Sequence, residues 1–228
     1  MYAWPFLCGV ASYIQDHGLL ADDARVYAIS AGSMAAVLLV CGVDIEQVGL
    51  AAGLACNDEH ATGRLLPYLR PDAVRSSLDT FASVFPRDAH ERASGRLFLG
   101  VTELPRFRKR LISQFRTRIA LIDALASTMA VPGHGVWLAY QPRHTDVGWC
   151  VDGIALGRHT DDDRPGWRTV RVGVGPSRTG LFPGRRYVHI APSKPISLRM
   201  RFTVAGRERR MQLYRAGYDD GFGYFAEP

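Results

Sequence analysis

The sequence predicts an α/β layered sheet, and three observations predict it. Short β-rich runs at 26–29, 96–104, 108–115, 147–151 and 168–174 alternate with segments of helical periodicity, the pattern of helices packed on a sheet. The helical segments carry start and stop residues where a helix needs them. Apolar residues make up 47% and charged residues 22% of 228 residues, close to a soluble globular protein and long enough to bury a core without metal or crosslink.

In chain order, a helix is expected from Pro5 to Asp16, with proline in its first turn and Gly18 past its end. The uncharged stretch 26–43 is at the lower limit for a membrane span. Ser30, Gly32, Ser33 and Gly42 interrupt it, so it divides into a buried strand at 26–29, a tight turn, and a helix from Gly32 to about Cys41. Asp44 caps a further helical stretch through Cys56. Val74, Leu78, Phe81 and Val84 fall at helical spacing within 71–84. The runs 96–104 and 108–115 read as paired strands joined by a Pro-containing turn. An amphipathic helix is expected over 117–130, stopped by Pro132-Gly133. A strand at 147–151 ends at Asp152-Gly153, and Asp161-Asp162-Asp163 with Pro165-Gly166 is a solvated loop. The run 168–174 predicts a buried strand, and 207–225 a final helix. We take 1–228 as a single domain, with a core at about 5–175 and a C-terminal extension over 176–228.

The formal charge is +6, and all but two of the 28 basic residues, Lys109 and Lys194, are arginines. The bias has two readings, the base composition of the gene or an anionic surface as partner. Arginines gather after residue 105, among them Arg106, Arg108, Arg110, Arg116 and Arg118, and later Arg199, Arg201 and Arg207. The alternation at Arg199-Met-Arg201-Phe resembles a solvated strand face. No nucleic-acid-binding module is present, and no nucleic-acid partner is expected. Cys8, Cys41, Cys56 and Cys150 lie far apart with no metal-ligand spacing, which suits a reducing compartment. The apolar start has no basic residue before Arg25, so a signal peptide is not expected. An apolar start that faces a membrane stays open.

The segment Tyr27-Ala28-Ile29-Ser30-Ala31-Gly32-Ser33 bears most on function. A serine among small residues, after a β-rich run and before a helix, fits a nucleophile elbow, with Ala28 and Gly32 at i−2 and i+2. A helix N-terminus there sets N–H groups and a positive dipole end beside a developing alkoxide. The alternative is an ordinary strand-to-helix turn with Ser30 as N-cap. Ser33, inside the first helical turn, reads as a cap or packing residue. A serine nucleophile needs a base. His159 or His189 would complete a Ser–acid–His order, but neither lies in a specially placed segment. Asp152 ends an apolar strand before Gly153 and can project from a sheet edge. A carboxylate serves as base once desolvation raises its pKa; otherwise Asp-Gly is simply a turn.

Ala28-Ile-Ser30-Ala31-Gly32 followed by a small-residue helix, with Asp152-Gly153 after an apolar strand, resembles the patatin-like phospholipase family. Phe85-Pro-Arg-Asp88-Ala-His90-Glu-Arg-Ala93-Ser94-Gly95-Arg96-Leu97 is similar to a segment of that family's adipose triglyceride lipase and adiponutrin branch. Leu121-Ile-Asp123-Ala-Leu-Ala126-Ser127 with Val131-Pro132-Gly133, and Tyr214-Arg-Ala-Gly217-Tyr218-Asp-Asp220-Gly221, extend the likeness over about 6–225. The resemblance implies a three-layer α/β/α sheet with helices on both faces. It implies Ser30 as nucleophile, Asp152 as the base that replaces histidine, and an acyl-enzyme on carboxylic esters of acylglycerols or phospholipids. It implies no metal and no cofactor, and a cytoplasmic enzyme peripheral on a membrane or lipid-droplet surface.

The chain departs from the family at three places. A glycine-rich loop at the first strand-to-helix junction supplies the family's oxyanion donors. The equivalent stretch here would be about Met1–Trp4, where no glycine stands. The first strand is therefore expected to be missing, the oxyanion donors are unassigned, and a catalytically impaired, lipid-binding relative is the alternative expectation. Ala28 replaces the elbow's first glycine, and Ile154 replaces a small residue after Asp-Gly.

Overall fold

A computed structural model describes residues 4–51, 78–130, 143–144, 148–152, 168–174, 189–194, 196 and 206–226. Helix α1 spans Trp4–Asp16 and ends at Gly18, whose φ of 59° suits glycine. Strand β1, Val26–Ala28, turns into α2, Gly32–Cys41. Gly42 closes α2 in the left-handed conformation and donates its N–H to the carbonyls of Leu38 and Leu39. Asp44 does cap the next segment, by accepting the Gln47 N–H at 2.7 Å, but that segment is a π-helical turn, Ile45–Gly49. Residues 78–83 are helical. Then come α3 (Ala89–Ala93), β2 (Leu97–Glu103), β3 (Arg108–Ile112) and α4 (Arg118–Thr128), capped by the Thr117 hydroxyl. The short strand β4 (Arg143–His144), β5 (Gly148–Asp152) and α5 (Arg207–Ala226) complete the described elements.

The strands form a mixed open sheet around β2, so the α/β class holds. Leu97, Leu99 and Val101 of β2 are fully buried. They join one core with Val37, Leu38 and Val40 of α2 and Leu121 and Leu125 of α4. A smaller cluster gathers Phe6, Val10, Ile190, Ile196 and Leu213.

Two expectations change. The run 168–174 is not a strand. Among the described residues, Val172 makes a single bridge to Ile190, and Val170, Val172 and Val174 pack only partly buried on the smaller cluster. Their alternation reflects one half-covered face rather than a full ladder. The apolar start packs inward from Trp4 onward rather than facing a membrane: Trp4, Phe6, Cys8 and Val10 are buried in the protein's own cores. Among the described residues, no helix is long and apolar enough to cross a membrane. The expected helical residues 52–56 and 71–77, Pro132-Gly133, Gly153, the loop over 161–166 and the arginines at 199 and 201 lie outside the described residues.

Helix α5 packs along α1 through two reciprocal glycines. A Cβ at Gly217 would stand 2.0 Å from the Phe6 carbonyl oxygen, and one at Gly9 would stand 2.0 Å from that of Tyr214. Backbones this close leave no room for a methyl group. The Tyr214 hydroxyl donates to Ser12 Oγ at 2.9 Å, and burial pushes its pKa up to about 12. Gly217→Ala is expected to destabilise the protein by about 1–3 kcal/mol through overpacking. Gly223→Ala, where no atom of the described residues lies within 4 Å of the added Cβ, should be neutral or stabilising by up to about 1 kcal/mol. Urea denaturation of both variants checks the pair.

Candidate functional site

Strand β2 has two edges and three partners. Leu99 pairs with Ala28 of β1 and with Ile112 of β3, so β1 and β3 lie on opposite edges. Val101 pairs with Arg110 of β3 and with Asp152 of β5, so β5 also lies opposite β3. Strands β1 and β5 therefore share one edge of β2. The first runs parallel and stops level with Leu99; the second arrives antiparallel and reaches Val101. Two residues of β2 separate those levels, roughly 7 Å.

Ser30 follows Ala28 by two residues, which would carry β1 to the level that Asp152 occupies. The chain turns away instead. Ser30 has φ of 54°, a left-handed backbone that a serine rarely adopts. Ala31 occupies the N-cap of α2 and has no capping side chain. An N-cap serine would hold an extended backbone, so Ser30 is not a simple cap. Ser33 is fully buried, and its hydroxyl donates to the Ser30 carbonyl, which fits packing rather than chemistry. Among the described residues, a Cβ at Gly32 would meet only Leu7 Cδ1, at 3.8 Å. The tightness of the turn thus resides in Ser30 itself and not in Gly32.

Asp152 is 2% exposed. Its N–H donates to the Ala130 carbonyl at 3.0 Å, and its carbonyl accepts from the Thr102 hydroxyl at 3.2 Å. The Ser30 N–H donates to Thr128 Oγ1 at 3.1 Å, and that hydroxyl donates to the Gly100 carbonyl at 2.8 Å. The end of α4 thus touches both candidate residues, through Thr128 and Ala130. Sequence reasoning singled out neither. A threonine near a helix end carries no signal until the strand register is known.

The histidine alternative finds no support in the described region. His189 accepts the Arg171 N–H through Nδ1 at 3.3 Å and stacks on Tyr224; His159 lies outside the described residues. His90 sits on α3, beside the Asp88–Arg92 ion pair of 2.9 Å. The Arg92 guanidinium holds the Asp88 carboxyl below the usual carboxylate range, and also donates to the Cys41 carbonyl at 3.0 Å. These contacts tie α3 to the end of α2, a structural role. Burial pushes the Cys41 thiol up to about 11, so it is not a nucleophile at neutral pH. Among the described residues, no group of three His, Cys, Asp or Glu could hold a metal ion.

No protein-family model matches the chain. It is 32% identical over 131 residues to human patatin-like phospholipase domain-containing protein 2, covering 56% of this chain and 26% of that protein. The mouse protein of the same name is 31% identical over 128 residues, with coverage of 54% and 26%. Mouse omega-hydroxyceramide transacylase is 31% identical over 114 residues, with coverage of 49% and 19%. Over about half its length the chain is similar to patatin-like phospholipase domain proteins. It spans about a quarter of the length of the first two.

A left-handed backbone at a non-glycine residue costs on the order of 1–3 kcal/mol. Ser30→Gly is therefore expected to be more stable than Ser30→Ala by roughly 1 kcal/mol, less the extra unfolded-state entropy of glycine. Thermal denaturation of the two variants side by side reads the difference.

Proposed function

We propose that the chain is a patatin-like serine acyl hydrolase that cleaves carboxylic esters of acylglycerols or phospholipids. Ser30 is the nucleophile and Asp152 the base. The observation that carries this reading is the left-handed turn at Ser30, placed where β5 brings Asp152 onto the edge that β1 has just left. The similarity to patatin-like phospholipase domain proteins supports the same chemistry.

The reaction runs in two halves. As Ser30 Oγ attacks the ester carbonyl, Asp152 takes the hydroxyl proton. The tetrahedral intermediate collapses, Asp152 returns that proton to the departing alcohol, and the acyl group stays on Ser30. Asp152 then takes a proton from water, the resulting hydroxide attacks the acyl-enzyme, and the acid leaves as Ser30 is reprotonated. The N-terminal end of α2 lies beside Ser30, and its dipole favours the negative charge that develops on the carbonyl oxygen. Neither half requires a metal or a cofactor.

The second reading is a catalytically impaired relative that binds lipid surfaces, and the β2–β3 hairpin favours it. Phe107 at the tip is 62% exposed and Leu111 42% exposed, interleaved with exposed Arg106, Arg108, Lys109 and Arg110. Glu103 offsets part of this charge. It pairs with Arg110 at 2.8 Å and with Arg106 at 3.8 Å, and its hydrogen bond from Arg110 keeps its carboxyl below the usual range. Exposed apolar groups among cations suit an anionic lipid–water interface, with the hairpin taking the role expected of the buried N-terminus.

A fluorophosphonate probe should label the protein at Ser30. Labelling and esterase turnover should vanish in Ser30→Ala, and Asp152→Asn should lower turnover by about 10²–10⁴-fold. An unlabelled protein that nevertheless binds lipid would favour the second reading. On either reading, vesicles of phosphatidylcholine with phosphatidylserine should bind the chain and release it near 0.5 M salt, where screening is strong. Arg106→Glu with Arg108→Glu should weaken that binding, and Ser30→Ala should leave it intact.

A further inference from the structure

We infer that Thr128 is the positioning residue of the Ser30–Asp152 pair. This inference rests on the reading of Ser30 as nucleophile. It concerns how the nucleophile is held, not the chemistry the nucleophile performs.

Thr128 is fully buried at the C-terminal end of α4. A serine or threonine near a helix end ordinarily turns its hydroxyl back to the carbonyl four residues earlier. The neighbouring Ser127 does so, donating to Asp123 at 2.7 Å. Thr128 instead reaches off its helix. Its one O–H goes to the Gly100 carbonyl at 2.8 Å, and its oxygen accepts the Ser30 N–H at 3.1 Å. Gly100 lies between Leu99, where β1 stops, and Val101, where β5 ends at Asp152. The hydroxyl thus bridges the gap between the ends of the two strands.

A hydroxyl has one proton to donate, so giving it to Gly100 fixes the direction of the remaining lone pairs. A lone pair then meets the Ser30 N–H and holds that residue in its left-handed conformation. Two residues further along, the Ala130 carbonyl holds the Asp152 N–H at 3.0 Å. The last residue of α4 and the residue two beyond it therefore hold the backbone of both members of the pair. The Ser30 amide is committed to Thr128 and does not serve the oxyanion, whose donors must come from elsewhere. Misplacing a reacting group by about 1 Å can cost up to a hundredfold in rate, and Thr128 does not touch the reacting atoms.

The test compares Thr128→Val and Thr128→Ser with wild type, on the full chain and at a temperature where circular dichroism shows each to be folded. Wild type should react with a fluorophosphonate at Ser30. Thr128→Val should label roughly ten- to a hundredfold more slowly, with kcat reduced in parallel and KM for a short-chain ester unchanged. Thr128→Ser, which keeps the hydroxyl, should recover to within a few fold. If Thr128→Val does not fold, Thr128→Cys takes its place, since a thiol is of similar size and a weak hydrogen-bond partner; it should label slowly while Thr128→Ser does not. Equal labelling rates in wild type and the hydroxyl-free variant would overturn the inference. Hydrogen exchange at the Ser30 amide separates the two ways of failing. A protected amide in a wild-type protein that never labels counts against Ser30 as nucleophile. Normal labelling with an unprotected amide counts against Thr128.

Discussion

One edge of β2 is shared by two strands that run in opposite directions, and the arrangement of the site follows from that constraint. Because Asp152 stands opposite Val101, β1 cannot continue past its pairing at Leu99 without colliding with it. The chain has to turn within two residues, and Ser30 takes the backbone conformation that allows this. Helix α2 can start only after the turn. The hydrogen-bonding groups exposed between the strand ends need partners from outside the sheet, since unpaired buried polar groups are costly. The end of α4 supplies them.

The cost of the turn is borne by the packing around it. Leu97, Leu99 and Val101 are fully buried, so β2 is a rigid reference for both neighbouring strands. Helices α2 and α4 lock onto it through the same core, and α3 is tied to α2 by Arg92 and the Cys41 carbonyl. On the opposite edge, β3 pairs with β2 over five residues and carries the charged, aromatic hairpin. That strand tolerates exposure because its stability comes from the ladder and from Ile112, which is buried beside Leu99. The protein thus separates a strained, enclosed junction from an open basic edge.

Much of this was legible in the sequence, for local reasons. The helices at Trp4–Asp16, Gly32–Cys41 and Arg118–Thr128 are bounded by residues close in sequence, Gly18, Gly42 and the Thr117 cap. The turn at Ser30 was legible because small residues flank it between a β-branched run and a helix. That β1 and β5 end on the same edge of β2 was not, because it depends on registers between strands separated by about 70 and 50 residues. Thr128 was invisible for the same reason. The misreadings share one cause. Alternating apolar residues at Val170, Val172 and Val174, and the apolar run from Trp4 to Val10, report only that a face is covered. What covers it is decided by distant segments, here Ile190, Leu213 and the helix that crosses at Gly217.

The absence of a histidine from the proposed mechanism has a structural rationale. An imidazole base on a flexible side chain needs a third group to hold its tautomer and orientation, which is the task of the acid in a Ser–His–Asp triad. A carboxylate has no tautomer to fix, and Asp152 sits in a strand with its backbone held on both sides, by Ala130 at the N–H and Thr102 at the carbonyl. Its place on the edge of β2 comes from the sheet register. The orienting task then moves to the nucleophile, which lies in a turn and not in a strand. That turn is where the fold places a buried hydroxyl with both of its hydrogen bonds engaged.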